Sequence, residues 1–182
     1  MQLILITAVL GGALALALGG SLNALAATKF RALWLLFLAL GIQLIFIFGR
    51  SSFLAGAGVW VFSAAQVALA AFLIANHSLP GMKVAALGFL LNATVIAANG
   101  AMPVSARAEL TVHDELPPAE GAGYKHERLD DDTVLPWLGD VIALRGVETV
   151  VSAGDVLIAA GIGLLVYGRT RTDEARGKHS AK

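Results

Sequence analysis

The sequence predicts an all-α integral membrane protein of five transmembrane helices. Its N-terminus lies outside, its C-terminus in the cytoplasm, and one long outer loop joins helices four and five. Three observations carry that expectation. The 182 residues are 57% hydrophobic and only 14% charged, where soluble domains carry about a quarter charged residues. The apolar residues gather into five long uncharged runs rather than amphipathic stripes. The lysines and arginines that flank those runs show a sidedness bias.

Crossing ~30 Å of hydrocarbon takes about 20 apolar residues at 1.5 Å rise each. The first run extends from Gln2 to Leu18. Met1 to Thr28 hold no charge, and Lys29 and Arg31 follow the run instead of preceding it. The basic region that opens a cleaved signal peptide is therefore missing, and the order favours a retained helix with its N-terminus outside. The second run lies between Arg31 and Arg50, the third from near Phe53 to near Ala75, and the fourth from after Lys83 to near Asn99. The fifth runs from Ser152 to Tyr167 and is closed by Arg169 and Arg171. None of these runs carries a charged face, so buried helices of a soluble domain do not fit.

With that topology, eight basic residues fall inside: Lys29, Arg31, Lys83 and five in the tail after Tyr167. Five fall outside, four of them in the long acidic loop. Positive charge on the cytoplasmic side is what orients a multipass chain. Trp34 and Trp60 fall near helix ends, where an indole suits the headgroup layer. The expected division is 1–100 for helices one to four, 101–151 for the outer loop and 152–168 for helix five. Residues 169–182 form a charged, disordered cytoplasmic tail.

Formal net charge is zero, which gives no electrostatic reason for a nucleic-acid partner. With no cysteine, disulfides, thiolate metal sites and cysteine nucleophiles are excluded. No zinc-type histidine spacing, phosphate loop or G-x-S-x-G appears, and neither a metal nor a cofactor is expected. Pairs such as Gly11-Gly12 and Gly161-x-Gly163 allow close helix approach, and they also permit self-association.

Chemistry can reside in few places. Gln43, Gln66, Asn92, Asn99 and Asp155 are the polar residues inside the runs. Such groups face other helices or a wet cavity, because lipid leaves them unpaired. Asn92 and Asn99 are seven apart and share a helix face. Amide side chains bonding across helices account for Gln43, Gln66 and Asn92. Ser152-Ala-Gly-Asp155 matches a capping box at a helix start, and a carboxylate there also suits the helix dipole. The alternative for Asp155 is a proton-transfer or metal site shared with Asp140 or His126. The loop holds ten acidic and four basic residues with His113 and His126. Asp130-Asp131-Asp132 lacks the alternating ligands and glycine of a calcium loop and reads as a solvated turn.

Several motifs occur in a fixed order: Gly19-Gly20-Ser21 with Asn23, Asn99-Gly100-x-Met102-Pro103-Val104, Lys125-His126, Thr133-x-Leu135-x-x-Leu138-Gly139-Asp140, and Ser152-x-Gly154-Asp155. Together they resemble a bacterial family of small multipass membrane proteins, domain of unknown function 5317. The resemblance implies a cell-membrane location without an assigned activity. Two departures stand out. Ala101 replaces the second glycine of the family's Asn-Gly-Gly, and Arg145 to Val150 replaces a proline-rich stretch. A weaker likeness is to signal peptidase II, whose last helix begins outside at a catalytic aspartate. Asp155 occupies that place, and Asp140 stands in for the other aspartate from a different loop position.

The sequence therefore points to a binding or accessory protein of the envelope. It would hold a membrane lipid, a small ligand or a partner protein at an outer polar site. Asn99, Lys125, Thr133 and Ser152 are the candidate binding residues. The alternative is a hydrolase or aspartic protease-like enzyme at the membrane surface using Asp140 and Asp155, with His126.

Overall fold

The uncharged runs become helices. A computed structural model of the chain describes residues 2–48, 58–113, 115 and 126–177. The long helices are α1 (Gln2–Ala17), α3 (Leu33–Phe48), α4 (Gly58–Ala75), α5 (Met82–Asn99) and α7 (Ala153–Gly177). Two short ones accompany them, α2 (Leu22–Ala26), started by the Ser21 side chain, and α6 (Ala106–Val112). Among the described residues, three stretches are long and apolar enough to cross a membrane: Gly58–Ala75, Met82–Asn99 and Ala153–Arg171. Two shorter apolar helical stretches, Ile6–Ala17 and Leu33–Leu44, stand beside them. The expected start of the third run, near Phe53, lies outside the described residues.

Packing is inverted relative to a water-soluble bundle. The buried positions are mostly small, including Ala39, Ala65, Ala85 and Ala159, while Trp34, Phe37 and Trp60 are each about two-thirds exposed (65%, 67% and 66%). Large side chains gain nothing from being inside when the surroundings are as apolar as they are, so close backbone contact decides the interior. Gly161 shows the degree of approach. A Cβ there would come within 2.6 Å of the Ala85 nitrogen and the Gly81 oxygen.

Contacts fix the helix directions. Leu35 and Leu36 of α3 pack near Phe72 of α4, and Ala39 lies with Ala65 and Leu69. Phe72 in turn packs with Met82 of α5, whereas Phe62 meets Val95 and Ile96. Each of these pairs is antiparallel. On α7, Gly154 approaches Asn92 and Gly161 approaches Ala85, again antiparallel. Gly11 meets Gly163, Gly20 meets Thr170, and the Ser21 N–H donates to the Thr170 carbonyl at 2.6 Å. The first and last helices therefore run parallel, with α7 between α1 and α5.

Where α5 ends and α7 begins, the chain builds a small lobe. β1 (Met102–Val104) pairs in parallel with β2 (His126–Arg128), and β3 (Ile142–Leu144) pairs antiparallel with β4 (Thr149–Val151). Asp140 extends the first pair through a parallel bridge to Val104. Leu135 and Leu138, with Met102 of β1, seat the lobe on Val95 and Ile96 near the end of α5.

The all-α expectation is corrected by these four strands, each only three residues long. Pro103 has no N–H to continue a helix, and Thr149–Val151 are all β-branched. The expected disordered tail differs too. α7 continues to Gly177, ten residues past Tyr167. Its continuation is anchored, because Arg169 Nε donates to Thr28 Oγ1 at 2.9 Å and Thr170 is fully buried.

Candidate functional site

The candidate residues separate into three places, all at the lobe end of the bundle. The first is a closed hydrogen-bond ring at the start of α7. The Asp155 N–H donates to Ser152 Oγ at 3.0 Å, and the Ser152 N–H donates to Asp155 Oδ2 at 3.2 Å. That is the capping box the sequence spelled out. The ring closes through Asn92 of α5. Its Nδ2 donates to Asp155 Oδ1 at 2.9 Å, and its Oδ1 accepts from the Ser152 hydroxyl at 3.0 Å. Ser152 is fully buried, so its hydroxyl presents nothing to a ligand from outside. Gly154 makes the joint close, since any Cβ there would collide with the Asn92 side chain.

The second place is a clamp. Asn99, the last residue of α5, imitates a backbone partner for Val134. Its Nδ2 donates to the Val134 carbonyl at 2.8 Å, and its Oδ1 accepts from the Val134 N–H at 2.7 Å. The same Nδ2 also donates to the Val95 carbonyl at 2.8 Å. Thr133 beside it closes a turn onto Asp130, accepting from its N–H at 2.9 Å and donating to its carboxylate at 2.7 Å. Asn99 and Thr133 also border an open polar cavity of about 230 Å³.

An equivalent clamp, missed in the sequence, lies at the opposite end. Asn76, just past α4, accepts from the Arg31 N–H at 2.7 Å and donates to the Arg31 and Phe72 carbonyls at 2.9 and 2.8 Å. The shared signal was an asparagine directly closing a long apolar run.

The third place is centred on Asp140. Its backbone is fixed, with its N–H donating to the Pro103 carbonyl at 2.8 Å and its carbonyl accepting from the Ser105 N–H at 2.9 Å. The approach requires Gly139, whose missing Cβ would otherwise strike the Pro103 carbonyl. Asp140 is only 6% exposed, yet its Oδ1 has no hydrogen-bond partner. Its Oδ2 lies 3.6 Å from His126 Nε2, an ion pair when the imidazole is protonated. With Glu109 of α6 and His113, which caps that helix, these two residues line a cavity of about 210 Å³. Burial pushes the Asp140 carboxyl from 3.8 up to about 7, and the charges of Asp155 and Glu109 add to the rise.

Asp140, His126 and, electrostatically, Asp155 are thus brought together, while Asn99 and Thr133 stand apart and Ser152 is sealed in. Lys125 lies outside the described residues. Among the described residues no group of three His, Asp or Glu side chains is disposed to hold a metal ion.

An apolar helical bundle with exposed large side chains and a polar lobe at one end defines a membrane-type protein. The family model described as Family of unknown function (DUF5317) matches residues 27–167. That span is most of the chain, and the protein belongs to this family. The match takes in α3 to α5, the lobe and α7 to Tyr167, and it begins beyond α1. No curated protein and no solved structure is significantly similar to the chain.

Proposed function

We propose that the chain is a bacterial plasma-membrane protein of five spans, N-terminus outside, that binds a ligand or partner in the Asp140 cavity on its outer face. The observation that carries this is Asp140 itself. A carboxylate held on a fixed backbone, buried, and left with one oxygen unpaired is costly, and among the described residues only the neutral Ser63 hydroxyl shares that condition. Such a group is retained where it meets something that the chain alone does not supply.

The alternation of helix directions from α1 to α7 supports five crossings, since α1, α4 and α7 point one way and α3 and α5 the other. The lobe then shares one side with the N-terminus of α1. The chain has no cysteine, so a single cysteine at the exposed Glu115 tests this directly. Labelling of intact cells or spheroplasts by a membrane-impermeant maleimide is expected, and protection until lysis would reverse the topology.

A hydrolytic role for Asp140 with Asp155 has one supporting observation, the electrostatic coupling between them. The ring around Asp155 weighs against it, because both of its oxygens already accept hydrogen bonds. Native mass spectrometry from mild detergent separates the readings. Binding through Asp140 predicts a defined bound mass in wild type and in Asp155→Asn that vanishes in Asp140→Asn. Bare, folded protein in all three would sink the binding reading. Loss of mass in both variants would instead restore the dyad.

A further inference from the structure

We propose that the Asp140 cavity is built for a primary ammonium group, carried by a small amine or by an aminated lipid headgroup. The inference rests on the binding role assigned to this cavity and names its ligand chemistry.

The lining determines the sign of the ligand. Two carboxylates, Asp140 and Glu109, and two imidazoles, His113 and His126, face the cavity, and no lysine or arginine among the described residues does. A cation is the ligand that favours the ionised form of both carboxyls and leaves the two imidazoles neutral, whereas an anion would meet carboxyl oxygens with no fixed positive charge beside them. The geometry then distinguishes between cations. A transition metal gathers its ligands at roughly 2.0–2.3 Å, and no three suitable side chains among the described residues are so disposed. An ammonium donates three hydrogen bonds at roughly 2.7–2.9 Å, so its acceptors are spread around a wider space. A cavity of about 210 Å³ is also below the roughly 300–1,000 Å³ of pockets for drug-sized molecules. It suits a headgroup or a short amine.

Asp140 supplies the discriminating contact. Its Oδ1 is unpartnered and its backbone is held from both sides by β1 and the residue following it. The carboxylate does not need to be ordered when the ligand arrives. Position agrees with a ligand from the membrane surface, because Val104 of β1 and Val150 of β4 wall the cavity and the lobe rests directly on the helix ends.

The test is thermal unfolding of the full chain in mild detergent, titrated with ethanolamine, with choline, with potassium chloride at equal ionic strength, and with zinc chloride. Ethanolamine is expected to raise the midpoint saturably. Choline, with the same charge and no N–H, is expected to be weaker by roughly tenfold or more, the loss of one charge-assisted hydrogen bond. A similar weakening is expected for ethanolamine in Asp140→Asn, while Asp131→Asn behaves as wild type. Equal effects of ethanolamine and choline, or no saturable effect of any amine, would overturn the proposal, and both are read on the wild type alone. Zinc acting saturably where amines do not would replace the ammonium by a metal. If a bound mass is lost in Asp140→Asn yet amines have no effect, the cavity is real and only its ammonium chemistry fails. Nanodiscs identify the source. Phosphatidylethanolamine occluding the ethanolamine effect assigns a lipid headgroup, and an undiminished effect assigns a soluble amine; both support the proposal.

Discussion

Asparagine at position 140 should change how stability depends on pH, and the expected size follows from the burial of the native carboxyl. The folded protein holds this proton up to about pH 7, while an unhindered aspartate releases it near 3.8. Between those values the folded state binds a proton that the unfolded chain does not, so stability falls as pH rises. The contribution is fully present below 3.8 and is lost as pH passes through 7. Over that interval of roughly three pH units, at about 1.36 kcal/mol each, the loss is on the order of 4 kcal/mol. At about 2–4 °C per kcal/mol for a chain of this length, the midpoint should drop by roughly 10 °C. Asp140→Asn carries no proton to lose, so its curve should lack this fall. Thermal unfolding in one detergent at steps from pH 4.5 to 8, wild type minus variant, isolates the effect because other carboxylates cancel. His126→Gln belongs beside it, since that imidazole sits 3.6 Å from Oδ2. Parallel wild-type and Asp140→Asn curves would refute the reasoning, for they would mean the carboxyl ionises as freely folded as unfolded.

Three further outcomes are expected. Gly161→Ala should cost more than about 2 kcal/mol, because the new Cβ meets backbone atoms at 2.6 Å. Gly41→Ala, with nothing within 4 Å, should leave stability unchanged or raise it by up to about 1 kcal/mol; equal melting shifts for the two would discount glycine-mediated packing. Asn76→Ala should destabilise by about 2–4 kcal/mol, since it strips three hydrogen bonds, one buried at Phe72 and two part-buried at Arg31. A melting midpoint within a degree of wild type would show that the clamp holds nothing. Asp155→Asn should lose about 1 kcal/mol of cap stability and keep any bound mass, and loss of that mass at unchanged stability would argue for direct participation.

The long apolar helices were legible because each is written as an uncharged run, a signal that survives without knowledge of neighbours. The capping box from Ser152 to Asp155 was equally legible, its two bonds spanning three residues. What it bonds to was not. Asn92 precedes Asp155 by 63 positions, and nothing local says that α5 and α7 meet at that height. Asp140 and His126 were both suspected, yet their meeting depends on β1 running beside both segments, and strands of three residues have no period to detect. Asn76 escaped notice because it falls in a short turn, where an asparagine is ordinary.

The position of α7 has a consequence for biogenesis. It is synthesised last, yet it separates α1 from α5 and supplies the glycines against which both rest. Until it emerges from the ribosome, Gly11 has no Gly163 backbone to approach and Gly12 no Val166 side chain to rest on. The early helices must therefore wait as a loose set until the lobe, made between α5 and α7, and α7 itself have followed. Assembly is thus completed from the C-terminal end, and a ribosome that stalls before residue 153 leaves behind an unlatched bundle with an open seam.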